Sequence, residues 1–155
     1  MSATYSIAEL LGWREWLSIP GLGIARIKAK IDTGARTSCL HTHDLEVYTA
    51  DSGERRVRFL VHPLPKKPSV EARCDLPLLT SKVVRDSGGH EEERPFIRIP
   101  VTLGPHTWEV DFSLTSRDNM KFRMLLGRTA MKGRFLVNPS LSYQIGKPLR
   151  RRPRP

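Results

Sequence analysis

The sequence is poor in cysteine and aromatic residues and has no long apolar run. Two of its 155 residues are cysteine and 7% are aromatic. Cys39 and Cys74 do not form a Cys-x-x-Cys pair, so we expect two free thiols in a reducing compartment rather than a disulfide. Neither a secretory leader nor a run of membrane-spanning length is recognisable, and we expect a cytoplasmic protein.

The sequence motifs of a common ATP site and of a common type of zinc site are also missing. The chain has no Gly-x-x-x-x-Gly-Lys-Ser/Thr run, so a P-loop ATP site is not expected, and any ATP dependence has to come from a partner. It has neither His-Glu-x-x-His nor His-x-x-Glu-His, the runs that place zinc ligands on a helix.

Positive charge is abundant. Twenty-six Lys and Arg residues against 16 Asp and Glu residues give a formal net charge of +10, which predicts attraction to nucleic acid, acidic protein or a glutamate-rich tail. Four of the arginines lie in a Pro/Arg-rich tail, and removing these four still leaves a formal charge of 10 − 4 = +6, so the body is basic too. We predict one domain over residues 1–146, since 155 residues are too few for two well-built lobes, and a disordered basic tail over residues 147–155.

Short apolar-alternating runs separated by turn residues predict an all-β fold. We expect about nine short strands in a small closed or sandwiched barrel, with one helical turn near the C-terminus. The predicted hairpins turn at residues 20–23, 50–53 and 86–94, and the helical turn covers 128–132. A short helix is expected to start at residues 6–11 and to stop at Gly12.

One strand ends at a carboxylate. Residues 27–31 alternate apolar side chains with lysine and lead into Asp32. Thr33 can hydrogen-bond to the local backbone, and Gly34 allows another chain to approach closely, so the carboxylate is expected to be held rigidly at a strand end. This arrangement is typical of a catalytic site.

The chain resembles the retropepsin-like aspartic peptidases. The resemblance rests on Asp32-Thr33-Gly34-Ala35 and on the later Met124-Leu125-Leu126-Gly127-Arg128. With Gly12-Trp13-Arg14-Glu15-Trp16 added, it resembles more narrowly a bacterial subfamily named ATP-dependent zinc proteases, often encoded beside a glutamate ligase that modifies a ribosomal protein. The resemblance covers residues 12–146.

The resemblance implies that Asp32 is catalytic and that Thr33, Gly34 and Ala35 support it. Aspartic peptidases use two carboxylates that share a proton, and one such motif supplies one of them. The triplets 51–53 and 86–88 also read Asp-Ser-Gly, but their polar surroundings favour ordinary turns. A dyad therefore requires a homodimer with Asp32 from each chain.

The groove is predicted to carry two arginines and two glycines. Arg36 stands where viral relatives have an acid, so it either binds a substrate carboxylate or pairs with a nearby acid of the chain. Arg128 shapes the same groove, and Gly88 and Gly89 lie in the hairpin that corresponds to the family's flap. The expected substrate is a protein or peptide, in particular a Glu-rich or glutamylated ribosomal-protein segment, with the glutamate ligase as a partner.

Two other functions stay open at this point. Cys39, His41 and His43 are spaced by two, so an extended strand projects all three from one face, which allows a zinc hydrolase. The spacing along a strand keeps such ligands about 6–7 Å apart, which disfavours a shared metal, and no cofactor is expected. The second alternative is a non-catalytic module that binds an acidic or ribosomal partner.

Overall fold

The computed structural model describes residues 9–85, 88–116 and 121–146, and these residues are almost entirely β. Their one α-helix, α1, covers four residues, Arg128–Met131. The strands in chain order are β1 (Glu9–Leu11), β2 (Arg14–Ile19), β3 (Ile24–Asp32), β4 (Ser38–His41), β5 (His43–Thr49), β6 (Arg55–Val61), β7 (Ala72–Pro77), β8 (Thr80–Arg85), β9 (Glu91–Leu103), β10 (His106–Thr115), β11 (Met124–Gly127) and β12 (Phe135–Val137). The all-β prediction is confirmed.

The largest sheet contains seven strands in the order β10-β4-β11-β3-β2-β9-β8. Strand β9 also pairs with β10 along eight residue pairs, so the pairing returns from one side of the sheet to the other. Its contact with β2 is a single pair, Ser18 with Thr102. A closed barrel stays a prediction.

Two strand pairings determine where the loop after Asp32 lies relative to the sheet. Strand β11 runs parallel to β3, with Gly127 beside Asp32, and antiparallel to β4. Strand β11 therefore lies between the strand that leads into the Asp32 loop and the strand that leaves it. The loop between β3 and β4 must cross the end of β11.

Alternation of side chains builds the core. In β2, and in β3 from Ile27 onward, every second residue is buried, as it is in β10 between Trp108 and Phe112. A strand directs successive side chains to opposite faces, so one face of each strand packs inward and the other carries the charged residues. The fully buried side chains include Leu11, Ile27, Leu40, Ile97, Phe112, Leu114, Met124 and Leu126.

Two predicted elements are corrected. The short helix expected up to residue 11 is wrong where the structure describes it, because Glu9–Leu11 forms β1 and pairs in parallel with β12. The tip of the flap hairpin, predicted at residues 86–94, is shorter than predicted, because its second strand already begins at Glu91, which pairs with Arg85 in the ladder and through an ion pair. The N-terminal residues 1–8, residues 86 and 87 of the tip and the tail 147–155 lie outside the described residues.

A three-stranded sheet, β5-β6-β7, follows the Asp32 loop and β4 in the chain. Its outer face carries a charged network in which Arg56 bonds to Glu54 and Asp75, and Tyr48 donates to Asp75. The Tyr48 hydroxyl and the Arg56 guanidinium hold the pKa of Asp75 below its usual range. Strand β7, which the sequence did not indicate, supplies Asp75 to this network.

The polypeptide after β12 is fastened by a buried carboxylate. Glu15 on β2 is fully buried. Its Oε2 accepts hydrogen bonds from the backbone N–H of Gly12 at 2.7 Å and of Gln144 at 2.9 Å, and its Oε1 accepts from Ile145 at 3.1 Å and Gly146 at 2.9 Å. Glu15 therefore joins the start of β2 to residues 144–146.

Within the described part of the chain, no helix has the length and apolar character needed to cross a membrane. Cys39 and Cys74 are both free and buried, as expected from their spacing.

Candidate active site

The Asp32 carboxylate is held by its own loop. Asp32 is half-buried at the last position of β3. Its Oδ1 accepts hydrogen bonds from the N–H of Gly34 at 3.0 Å and of Ala35 at 3.2 Å. A Cβ atom at position 34 would lie 3.3 Å from that oxygen, so glycine gives the carboxylate its room. The loop therefore fixes Oδ1, and among the described residues none is seen to donate to Oδ2.

The first two residues of helix α1 donate hydrogen bonds to backbone carbonyls of the same loop. Arg128 donates from its side chain to the Thr33 carbonyl at 3.1 Å and from its backbone N–H to the Ala35 carbonyl at 2.7 Å. Thr129 donates to the Arg36 carbonyl twice, from Oγ1 at 2.7 Å and from its N–H at 3.1 Å. The Arg128 side chain thus acts on the loop that holds Asp32.

Gly127 must be glycine because the loop crosses it closely. A Cβ atom there would lie 2.6 Å from the Thr37 carbonyl carbon and 3.0 Å from the Ala35 oxygen, both backbone atoms that cannot move aside cheaply. Its N–H donates to Ser38 Oγ at 3.0 Å. The geometry of the loop therefore requires glycine at position 127, next to Arg128, which bonds to the same loop.

The face of the sheet beside Asp32, which we call the floor of the site, carries both charged and apolar side chains. Residues 27, 29 and 31 of β3 are buried, so Asp32 shares the opposite, outward face with Lys30 and Lys28. Register places Leu125 next to Lys30 on one side and next to Cys39 on the other. Side chains of directly paired residues lie on the same face, so Lys30, Leu125 and Cys39 form a row across the sheet, one step from Asp32.

The base of the flap covers the far end of that row. Arg94 on β9 is 7% exposed, and its Nη1 lies 3.5 Å from the Cys39 sulfur. Arg94 Nε also donates to Glu92 at 3.0 Å. Burial is the main cause that raises the pKa of the Cys39 thiol, so the thiol is protonated at neutral pH.

The other predicted groove residues are at the surface. Arg36 is exposed, and within the described residues its side chain forms no ion pair, which favours the interpretation as a cation open to substrate. Gly88 and Gly89 are exposed in the β8–β9 hairpin, and Gly89 has a φ of +83° that favours glycine. The Asp-Ser-Gly run at residues 51–53 forms an exposed turn between β5 and β6.

The predicted zinc set is divided among other contacts. Cys39 contacts Arg94, and His41 is fully buried with Nδ1 3.2 Å from Arg123 Nη1. His43 packs edge-to-face against both His41 and His62, at centroid distances of 4.9 and 4.6 Å. Across residues 9–85, 88–116 and 121–146, no three His, Cys, Asp or Glu side chains are arranged to hold a metal ion.

Several residues of the site were not recognised from the sequence. Ser38 and Thr129 fasten the loop, while Leu125 and Arg94 line the floor. One signal was available for Lys30: it alternates with buried residues in phase with Asp32. The contacts of Arg94 depend on long-range pairing that no local pattern reveals.

These features define a class of protein. A strand that ends in Asp-Thr-Gly, with a short strand behind it that leads into a helical turn, is typical of the retropepsin-like aspartic peptidase fold. The family described as "RimB-like: Retropepsin-like aspartic endopeptidase RimB" matches residues 10–148. The chain belongs to this RimB-like family.

Similar proteins place this domain in longer polypeptides. A probable alpha-L-glutamate ligase of Desulfotalea psychrophila is 40% identical over 139 residues, which cover 90% of this chain and 30% of that protein. A probable alpha-L-glutamate ligase of Parasynechococcus marenigrum is 44% identical over 137 residues, which cover 88% and 29%. The chain thus spans less than a third of these relatives.

The fold also occurs in a solved structure. A Legionella pneumophila protein of unknown function superposes with a TM-score of 0.72 at 22% sequence identity, covering 88% of this chain and 98% of that one. At this identity the likeness concerns the fold alone.

Proposed function

We propose that this protein is an aspartic-type endopeptidase in which Asp32 activates a water molecule for attack on a peptide carbonyl. The observation that carries the proposal is the position of the Asp32 carboxylate. Two backbone N–H groups fix its Oδ1, and its loop lies at the surface of the chain. A rigid, half-buried carboxylate whose second oxygen is open meets the positional requirement for a general base.

The mechanism requires a second carboxylate. Two aspartates about 3 Å apart share one proton, so that the ionised member takes a proton from water while the protonated member donates to the carbonyl oxygen. Among the described residues, no other carboxylate is hydrogen-bonded to Asp32. A second copy of the chain, with its own Asp32 across a two-fold axis, supplies the missing group.

Exposure of the loop supports this assembly. Thr33, Gly34 and Arg36 are all exposed around the half-buried Asp32. A hydrolytic site works best when bulk water is excluded, and the surface of one chain does not exclude it here. A partner chain that covers Thr33 and Gly34 completes both the dyad and the enclosure.

The substrate is proposed to be acidic. Arg36 and Lys30 are exposed cations close in sequence to Asp32, and the body of the chain is basic. In the relatives named as probable glutamate ligases, the matching region makes up 30% and 29% of the polypeptide, so the same chain contains a much longer additional region. We propose that the domain works beside a glutamate ligase and cleaves a Glu-rich or glutamylated segment, such as a ribosomal-protein tail.

The test compares wild type with Asp32→Asn. A glutamate-tailed peptide and a neutral peptide of equal length are incubated with both proteins, and cleavage products are identified by mass spectrometry. The expected result is cleavage by wild type, preference for the glutamate-tailed peptide and a rate lower by roughly 10²- to 10⁴-fold for Asp32→Asn, the scale of losing a general base. Equal cleavage by both proteins would exclude Asp32 as the catalytic group.

Arg36→Glu separates the substrate from the chemistry. If Arg36 binds a substrate carboxylate, charge reversal lowers kcat/KM for the glutamate-tailed peptide and leaves the neutral peptide nearly unchanged. An unchanged ratio would remove Arg36 from substrate recognition while leaving Asp32 in place.

A further inference from the structure

The outward face of the β2–β3 hairpin carries four cations in a continuous arrangement. Arg26, Lys28 and Lys30 occupy alternate positions of β3, and Arg14 on β2 pairs directly with Lys30. We refer to these four residues as the cationic row. Successive members on β3 are about 6.6 Å apart along the strand, and the next position after Lys30 on the same face is Asp32.

Among residues 9–85, 88–116 and 121–146, no carboxylate lies within ion-pair distance of any side chain of the cationic row. Elsewhere Arg56, Arg58, Arg85 and Arg98 each have a carboxylate partner, whereas the exposed Arg36, Arg55 and Arg134 have none among the described residues. The β2–β3 face groups four cations without such a partner on two paired strands, an arrangement that favours an anionic ligand.

Aromatic rings hold three of these cations in place. The guanidinium carbon of Arg14 lies 4.7 Å from the Trp13 ring centroid and 4.8 Å from that of Tyr143. Arg26 and Lys28 lie 5.1 and 5.3 Å from the Trp16 ring centroid. A ring face restrains a cation without cancelling its charge, so the side chains are ordered in advance and the cost of ordering them on binding is reduced.

We propose that the cationic row is a docking track for the acidic substrate segment, with Lys30 binding the carboxylate nearest the scissile bond. The assignment rests on the proposed function and extends it to residues outside the Asp32 loop. Alternate side chains of an extended peptide repeat at about the same 6.6–6.8 Å as the row, so acidic side chains at every second position can pair with consecutive cations. The position of Lys30 between Arg14 and Leu125 places it on the floor beside Asp32.

Binding is measured first in the Asp32→Asn background, where no cleavage occurs and the readout does not depend on catalysis. Fluorescence anisotropy of a labelled Glu-rich peptide gives the dissociation constant at low salt and at 0.3 M salt. The variants are Lys30→Glu, Lys28→Glu and the neutral Lys30→Met. The control is Lys66→Glu, which makes the same change of net charge at an exposed position of the loop after β6.

The expected result is position-dependent. Lys30→Glu and Lys28→Glu weaken binding about tenfold, Lys30→Met about threefold, and Lys66→Glu less than twofold, with all values converging as salt screens the charges. Equal weakening by Lys66→Glu and Lys30→Glu would show that only net charge matters and would overturn the track. Thermal melts check that each variant is folded, and the neutral Lys30→Met keeps the test valid if a charge reversal unfolds the protein.

Two further arms separate the alternatives. A single-stranded RNA of matched charge competes with the peptide; tighter binding of RNA than of peptide, lost in the same variants, would assign the row to nucleic acid and overturn the proposal. In the active enzyme, Lys30→Met is expected to lower kcat/KM for a peptide with Glu beside the scissile bond and to spare its Gln counterpart. If wild type cleaves neither peptide but binds the acidic one through Lys30, the peptidase proposal fails and the docking track stands.

Discussion

Loss of the Glu15 carboxylate should destabilise the fold more than loss of any exposed acid. Glu15 is fully buried and accepts four backbone hydrogen bonds of 2.7–3.1 Å. Glu15→Ala leaves four backbone N–H groups without their acceptor in a crowded region. Gly12 and Gly146 show how crowded it is, because a Cβ at either position would lie within 2.3 Å of a backbone oxygen.

The expected magnitude follows from the number of bonds. A hydrogen bond contributes about 1 kcal/mol net, and more when the acceptor is charged, so four of them amount to about 4 kcal/mol. Typical domains have about 5–15 kcal/mol of stability in total, so Glu15→Ala removes a large fraction. Glu15→Gln should recover only part of it, since an amide offers one accepting oxygen and turns its NH₂ group towards two N–H donors.

The assay is equilibrium urea unfolding followed by tryptophan fluorescence, with the m-value compared between variants. Glu109→Ala on β10 is the matched control, since Glu109 is exposed and its loss should change stability by less than about 0.5 kcal/mol. A cost for Glu15→Ala below about 1 kcal/mol, or equal to that of Glu109→Ala, would refute the reasoning. Tyr143, which holds Arg14, lies next to the fastened segment, so weaker peptide docking should accompany the loss of stability.

Four further outcomes are expected. Light scattering across a concentration series should give about twice the 17.6 kDa chain mass wherever cleavage is observed, and full activity of a strict monomer would contradict the shared dyad. Cleavage should survive chelation, with elemental analysis finding well under one zinc per chain; stoichiometric zinc, lost together with activity in Cys39→Ser/His41→Ala, would favour a metal mechanism. Gly127→Ala should abolish cleavage and lower stability, because its Cβ meets the Thr37 backbone at 2.6 Å, whereas Ala130→Ser on α1 should be nearly neutral. Burial raises the pKa of Cys74 to about 11 from 9.0; because the folded value is the higher one, its stabilising contribution is complete below pH 9 and is lost as pH rises towards 11, so Cys74→Ala should unfold with a shallower pH dependence in that range.

The strands with strict alternation were predictable because the pattern itself decides which face is buried. Strand β3, Ile24–Asp32, contains the predicted run 27–31 and ends at Asp32, and helix α1, Arg128–Met131, falls within the predicted turn 128–132. The Asp32 turn was predictable for the same reason, since the strand before it alternates and Gly34 follows. Local sequence was sufficient wherever a single strand and its turn carried the information.

Pairing partners and contacts between distant segments were not predictable. Residues 9–11 form a strand because β12, more than 120 residues later, pairs with them. The sequence indicated a helix because it shows only the local preference. Strand β7 has a proline at its end and charged residues at alternate positions, and it forms a strand because β6 supplies a complete set of partners.

The candidate site likewise has features that the sequence predicts and contacts that it does not. The rigid position of Asp32 at a strand end was predicted from the motif, and the contacts of Gly34, Ala35 and Arg128 show how the loop is held. The three residues considered for zinc share one stretch of sequence but not one set of neighbours: Arg94, which contacts Cys39, comes from β9, and Arg123, which contacts His41, directly precedes β11. Spacing along a strand shows which face a residue occupies but not which group lies opposite it.

The acidic flap initially argues against an acidic substrate, because Glu91, Glu92 and Glu93 follow the hairpin tip. The structure reduces that objection. Glu91 pairs with Arg85, and Glu92 pairs with the buried Arg94, so two of the three charges are already balanced within the hairpin. Glu93 alternates with Glu92 and Arg94 along β9 and therefore projects from the opposite face, away from the Cys39 side. The exposed cations that remain beside Asp32 thus give the floor of the site a positive potential, and a glutamate-rich chain gains most from such a potential at low ionic strength, where charges several ångströms apart still act on each other.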